Sequence, residues 1–269
     1  MTEKTYATPL GTIHYWMGAG EGKYQLVFLP GLTADHRLFE KQLAHFEGKY
    51  PTLVWDAPGH GASWPFELTF DLMDKARWLE EILRLEGFRN PVLVGQSMGG
   101  YVAQAYAQRY PWQLRGFVSI DSAPLGREYV TALEIWLLKK MEPVYRYYPW
   151  KSLKSAGTKG VATSEYGRSL MGQMMALYEG DQDRYARLAG HGYRMLAQAM
   201  EADLPYEIPC PALLLCGTRD QAGSCIRYCK AWHRKTGIPL KWIDGAGHNS
   251  NTDAPEEVNR ILEDFLAGL

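Results

Sequence analysis

Six short apolar runs that do not alternate with polar residues constrain this chain more than any other feature. They are Gln25–Leu29, Thr52–Trp55, Val92–Val94, Phe117–Ile120, Ala212–Cys216 and Leu240–Ile243. A strand with apolar side chains on both faces must be covered on both faces, which is the mark of a parallel sheet. Helical patterns lie between the runs. Leu72, Ala76, Leu79 and Leu83 recur at helical spacing until Gly87 stops them. The last helix opens on Asp253-Ala254-Pro255-Glu256, which predicts an N-cap acid, a first-turn proline and a capping-box glutamate. Thr5–Ala7 and Thr12–Trp16, split by Pro9-Leu10-Gly11, predict an antiparallel hairpin at the sheet edge. Eight strands with helices on both faces follow, an α/β class.

The alternation breaks once. From Pro124 to Pro205 no buried strand is visible, the pattern is helical, and Tyr, Trp and Met are abundant. A connection of that length is too long for a loop. It predicts a helical cap over the carboxyl edge of the sheet, so that residues 1–123 and 206–269 form the core and residues 124–205 the cap. Nine Trp and seventeen Tyr against eight Phe suit a lined pocket as well as a core, because Tyr and Trp carry a polar tip. Trp136, Tyr145, Met171 and Met175 are the cap residues expected to meet a substrate.

Composition excludes several classes. With 46% apolar and 22% charged residues over 269 positions, the chain buries a core without needing disulfides or metal. A formal charge of −1 offers no phosphate-binding footprint, so nucleic acid is not an expected partner. No apolar stretch is long enough to span a membrane, and the N-terminus lacks the basic start and apolar run of a secretory signal. A cytoplasmic protein with reduced thiols is therefore expected. Cys225, Cys229 and His233 share helical spacing, but no fourth ligand accompanies them, and they read as a buried helical face rather than a metal site. The cap's basic residues read as a solvated face.

Gly95-Gln96-Ser97-Met98-Gly99 follows one of the apolar runs and opens a helix from Gly100 to about Tyr110. Between a strand and a helix, this pattern is a sharp turn that holds a serine in a strained conformation with its hydroxyl exposed. A serine hydroxyl needs a base to become a nucleophile. His248, in Gly245-Ala246-Gly247-His248, follows the run Leu240–Ile243, and Asp220 follows the run Ala212–Cys216. In a parallel sheet, both leave the same edge as Ser97, in the order Ser, Asp, His. Asp121, after the run Phe117–Ile120, is the competing acid. An oxyanion hole needs two backbone N–H groups, and those of Leu32 and Met98 are the candidates.

These residues resemble the α/β-hydrolase superfamily over about residues 10–123 and 206–269. The likeness is carried by Phe28-Leu29-Pro30-Gly31-Leu32, Asp56-Ala57-Pro58-Gly59-His60-Gly61-Ala62-Ser63, the turn at Ser97, Gly217-Thr218-Arg219-Asp220 and Gly247-His248. It implies Ser97 as nucleophile, Asp220 as orienting acid and His248 as base. Many members carry His-Gly where Pro30-Gly31 stands here, so one side chain that supports the first oxyanion donor is missing. The resemblance implies a serine hydrolase that cleaves a carboxylic ester, lactone or thioester of a small to medium, partly apolar molecule. No cofactor or metal is required. The alternatives are a receptor-like member with slow or no turnover, and carbon–carbon bond hydrolysis or lyase chemistry on the same triad. Oligomeric state is left open.

Overall fold

The structure, a computed structural model, describes residues 1–269. Two strands open it, β1 (Thr2–Thr8) and β2 (Gly11–Gly18), paired antiparallel as the hairpin signal predicts. Then come β3 (Leu26–Leu29), α1 (Glu40–Phe46), β4 (Thr52–Trp55), α2 (Leu72–Leu85), β5 (Val92–Gln96), α3 (Met98–Arg109) and β6 (Gly116–Ile120). Five helices follow: α4 (Ala132–Lys139), α5 (Met141–Tyr147), α6 (Trp150–Lys159), α7 (Glu165–Ala176) and α8 (Gln182–Glu201). The chain returns through β7 (Ala212–Gly217), α9 (Cys225–Thr236), β8 (Leu240–Ile243), α10 (Ser250–Asp253) and α11 (Pro255–Ala267). No helix is long and apolar enough to cross a membrane.

The eight strands form one sheet in the order β1-β2-β4-β3-β5-β6-β7-β8. Only the pairings of β2 with β1 and β4 are antiparallel. Every residue of β3, β4, β5 and β6 is buried, as unalternating runs require. β8 departs from that expectation: Lys241 and Trp242 are exposed, because β8 is the edge strand and pairs only with β7. Register then decides where loops emerge. Leu29 lies opposite Gly95, Gln96 opposite Ile120, Ile120 opposite Leu215, and Gly217 opposite Ile243. The strands thus end level, and the residues that follow them share one edge.

Helices α4 to α8 lie over that edge. α8 approaches closely because Gly192 has no side chain; a Cβ there would press on Leu32. The region near α7 is tied to the core by Asp253. Its carboxylate accepts hydrogen bonds from the backbone N–H groups of Thr163, Ser164 and Gly247 and from the hydroxyls of Thr163 and Ser164. The sequence pattern assigns Asp253 to the N-cap of the last helix. Instead it ends α10, Ala254 stands at the N-cap of α11 with no side-chain cap, and Pro255 opens the helix. Four donors from a distant loop and one from the neighbouring Gly247 compete for this carboxylate, and they hold it away from the local cap.

One buried cation is unusual. Lys75 on α2 is fully buried, its Nζ has no hydrogen-bond partner in the protein, and it lies 5.6 Å from the centroid of Phe70. Burial lowers its pKa to about 7. Between that value and the ordinary 10.5 the unfolded chain holds a proton that the fold does not, so this residue makes stability rise with pH over that window. Lys75→Met keeps the volume and removes the charge. It should raise the Tm at pH 7 by several degrees and flatten the dependence of Tm on pH between 7 and 10, measured by thermal melts beside the wild type. An unchanged or lower Tm contradicts this account.

Candidate active site

Ser97 sits between β5 and α3 at φ 49°, ψ −117°. That is the positive-φ half of the backbone map, where a residue with a Cβ is strained by about 1–3 kcal/mol. The turn closes because its glycines leave room. A Cβ on Gly95 would stand 2.5 Å from the Gly99 and Gly100 backbone, and one on Gly99 would fall on the Leu29 carbonyl. Ser122 Oγ donates to the Ser97 carbonyl at 2.7 Å and steadies the strained peptide.

The edge brings three of the singled-out side chains into line. His248 Nε2 lies 2.8 Å from Ser97 Oγ, and His248 Nδ1 lies 2.8 Å from Asp220 Oδ2. A carboxylate only accepts, so Nδ1 carries the proton and Nε2 of the neutral ring accepts from the hydroxyl. The second oxygen of Asp220 accepts from Ala222 N–H at 2.7 Å. Burial opposes the charge on Asp220, yet the hydrogen bond and charge of His248 hold its carboxyl below the usual value. Burial likewise works against a charged His248, but the bond it donates to Asp220 and the charge of that carboxylate outweigh burial and raise the imidazole above the ordinary histidine value.

Asp121 has a different place. It is fully buried, and its oxygens accept from Gly217 N–H, Ser250 N–H and Ser250 Oγ, which splices β7 to α10. Burial pushes its carboxyl well above the usual range. Leu32 and Met98 both border the site; Leu32 N–H donates to no acceptor in the protein, and Met98 begins α3, where an N–H lacks an intrahelical partner.

Two connected lobes open beside Ser97 and His248. A smaller one of about 190 Å³ is lined by Tyr145, Leu153, Met171 and Tyr185 among others, and a larger one of about 360 Å³ by Val130, Leu138, Leu196 and Met200 among others. Tyr145 and Met171 thus reach the cavity. Trp136 does not: it is 53% exposed on the outside of α4, because Ile135 is the residue of that turn that faces inward. Met175 does not either; it is fully buried with Leu153, Tyr178 and Tyr185, one layer behind the wall formed by Gly157. Composition marks an aromatic and methionine-rich cap but not the rotation of each helix.

Some residues that shape the site carry no local signal. Gln96 Nε2 donates to the His248 carbonyl at 2.8 Å and to Asn249 Oδ1 at 3.1 Å, which links the turn at Ser97 to the histidine loop. Tyr193 borders both lobes, with Tyr145 Oη donating to its hydroxyl at 3.2 Å. Cys225 and Cys229 do lie on a buried helical face, but their companion is Cys216, and the three sulfurs fall within 4.8 Å of one another. His233 is turned away to the carbonyl of Ile238.

Comparison with known proteins agrees with this architecture. A hydrolase of (E)-2-((N-methylformamido)methylene)succinate from Acinetobacter baylyi is 24% identical over 95% of this chain and 94% of its own length. A 2-hydroxy-6-oxononadienedioate/2-hydroxy-6-oxononatrienedioate hydrolase from Paraburkholderia phymatum is 24% identical over 94% of this chain and 90% of its own. The solved structure of a thermophilic esterase from Thermogutta terrifontis superposes with a TM-score of 0.76 at 20% identity, covering all of this chain and 99% of that one. The sequence model of the alpha/beta hydrolase family matches residues 26–261. By that match, which takes in every strand from β3 to β8, the chain belongs to the alpha/beta hydrolase family.

Proposed function

We propose that this protein is a serine hydrolase that cleaves a carboxylic ester, or a lactone or thioester, of a small to medium, partly apolar molecule. The observation that carries this is the continuous line from Asp220 through His248 to Ser97, with both contacts at 2.8 Å. In this mechanism His248 Nε2 takes the Ser97 proton as Oγ attacks the carbonyl carbon. The oxyanion of the tetrahedral intermediate rests on the N–H groups of Leu32 and Met98, each worth about 2.7–4 kcal/mol of barrier in comparable sites. The protonated His248 then gives its proton to the leaving alkoxide. Water, deprotonated by the same ring, attacks the acyl-enzyme and releases the acid. Asp220 fixes the tautomer and offsets the imidazolium charge.

A second reading is cleavage of a carbon–carbon bond beside a ketone by the same residues. The relative named for 2-hydroxy-6-oxononadienedioate supports it, since that substrate is an oxo acid rather than an ester. Ester hydrolysis is preferred here because the histidine already accepts from the serine, the geometry that acyl transfer requires.

A fluorophosphonate probe should label the wild type at Ser97 and leave Ser97→Ala unlabelled. On a panel of acyl esters and lactones, the variant should lose at least about 10⁴-fold in kcat. Activity that survives the substitution rejects the mechanism.

The pH profile supplies an independent check. The base must be neutral, so kcat/KM should rise with pH to a plateau, with a midpoint above the ordinary histidine value of 6.5 because Asp220 raises that pKa. In Asp220→Asn the supporting charge is gone. The plateau should fall by about 10³–10⁴-fold and the midpoint should move to lower pH. A midpoint that does not move would show that Asp220 is not the group holding His248.

A further inference from the structure

We infer that the site accepts an uncharged substrate with apolar groups on both sides of the scissile bond, and that it turns away substrates bearing a carboxylate. This rests on the hydrolase function proposed above. Both lobes meet at Ser97 and His248, and Leu32, Tyr193 and Ala222 are common to them. Neither lobe has a lysine or arginine in its wall. The smaller lobe has no acidic residue either. Its polar tips include the Tyr145 and Tyr193 hydroxyls, bonded to each other, with the Tyr193 proton left to meet a neutral carbonyl or hydroxyl.

The larger lobe offers an anion no partner either. Its formally charged groups, apart from the histidine, are Asp121 and Glu134. Burial acts against the Glu134 charge, but hydrogen bonds from Tyr228, from the Thr131 backbone and hydroxyl and from Arg227 hold its carboxyl well below the usual range. Nearby cations are engaged outside the cavity. Arg227 pairs with Glu134 from the solvent side, Lys139 with Glu201, Arg146 with Glu142 and Asp183, and Arg194 with Glu142. A carboxylate entering either lobe would lose its water and find no opposite charge free to receive it. The two relatives named for a succinate and for a dienedioate act on dianions. This chain shares their fold and family, but its cavity lacks a cation to receive a dianion.

The test compares matched esters on the wild-type protein, with Ser97→Ala as background. 4-Nitrophenyl hexanoate is set against the 4-nitrophenyl monoester of adipic acid, which places a carboxylate on the acyl side. Phenyl butyrate is set against 4-carboxyphenyl butyrate, which places it on the alcohol side. The neutral member of each pair should be favoured at least about 100-fold in kcat/KM, after correction for its rate with hydroxide. Leu137→Arg, which adds a cation at the rim of the larger lobe, should narrow the ratio for at least one pair by about fivefold or more. Ser97-dependent hydrolysis of a charged ester within tenfold of its neutral partner overturns the inference and leaves the hydrolase function intact. Absence of Ser97-dependent turnover with every ester overturns the hydrolase function instead. Binding then decides the inference: hexanamide raising the Tm while adipate leaves it unchanged upholds it, and adipate raising the Tm overturns it.

Discussion

The site depends on the chain passing through a turn that ordinary residues cannot make. β5 must end, reverse and enter α3 within a few residues while packed against β3 and β6. Gly95 and Gly99 make this possible because a Cβ at either would overlap backbone. The strain at Ser97 is held by its surroundings: the strands on either side, the Ser122 hydroxyl on its carbonyl and the first turn of α3. Relaxing the turn would unseat the β5–α3 junction. The serine therefore keeps its hydroxyl at the sheet edge, in reach of the other two proposed catalytic side chains, which arrive on separate loops.

What the sequence makes legible is what local patterns encode. Unalternating runs mark β3 to β6, because burial on both faces leaves room for few polar positions. The turn at Ser97 is readable because its glycines are a steric necessity. The order of Ser97, Asp220 and His248 is readable because parallel strands send their following loops to one edge. Where placement depends on residues far along the chain, the patterns fail. Asp253 looks like an N-cap, yet donors about ninety positions earlier take its oxygens. Trp136 and Met175 look like pocket residues by type, but helix rotation sends one to solvent and the other behind the wall. Gln96 and Cys216 give no local hint of their partners, which are set by sheet register.

Charge is distributed with the same economy. The cap carries many ionisable groups, and about half of them meet at its surface in pairs that contribute little to stability individually. The walls of the two lobes are mostly apolar with tyrosine hydroxyls among them, and their ionisable acids are the bonded Asp121 and Glu134. The field around Ser97 is therefore set mainly by Asp220 and by the peptide dipoles of the two loops, with little competing charge to reorganise during a reaction.

Asp253 gathers the loop before α7 and the peptide just before His248 into a single knot. The roof and the proposed base thus share one fastening. If the cap lifted at Thr163 and Ser164, Asp253 would lose four of its five donors, while Gln96 and Asp220 still hold the histidine itself. This corner is the post to which the roof is pinned, joined to the very segment that carries the histidine.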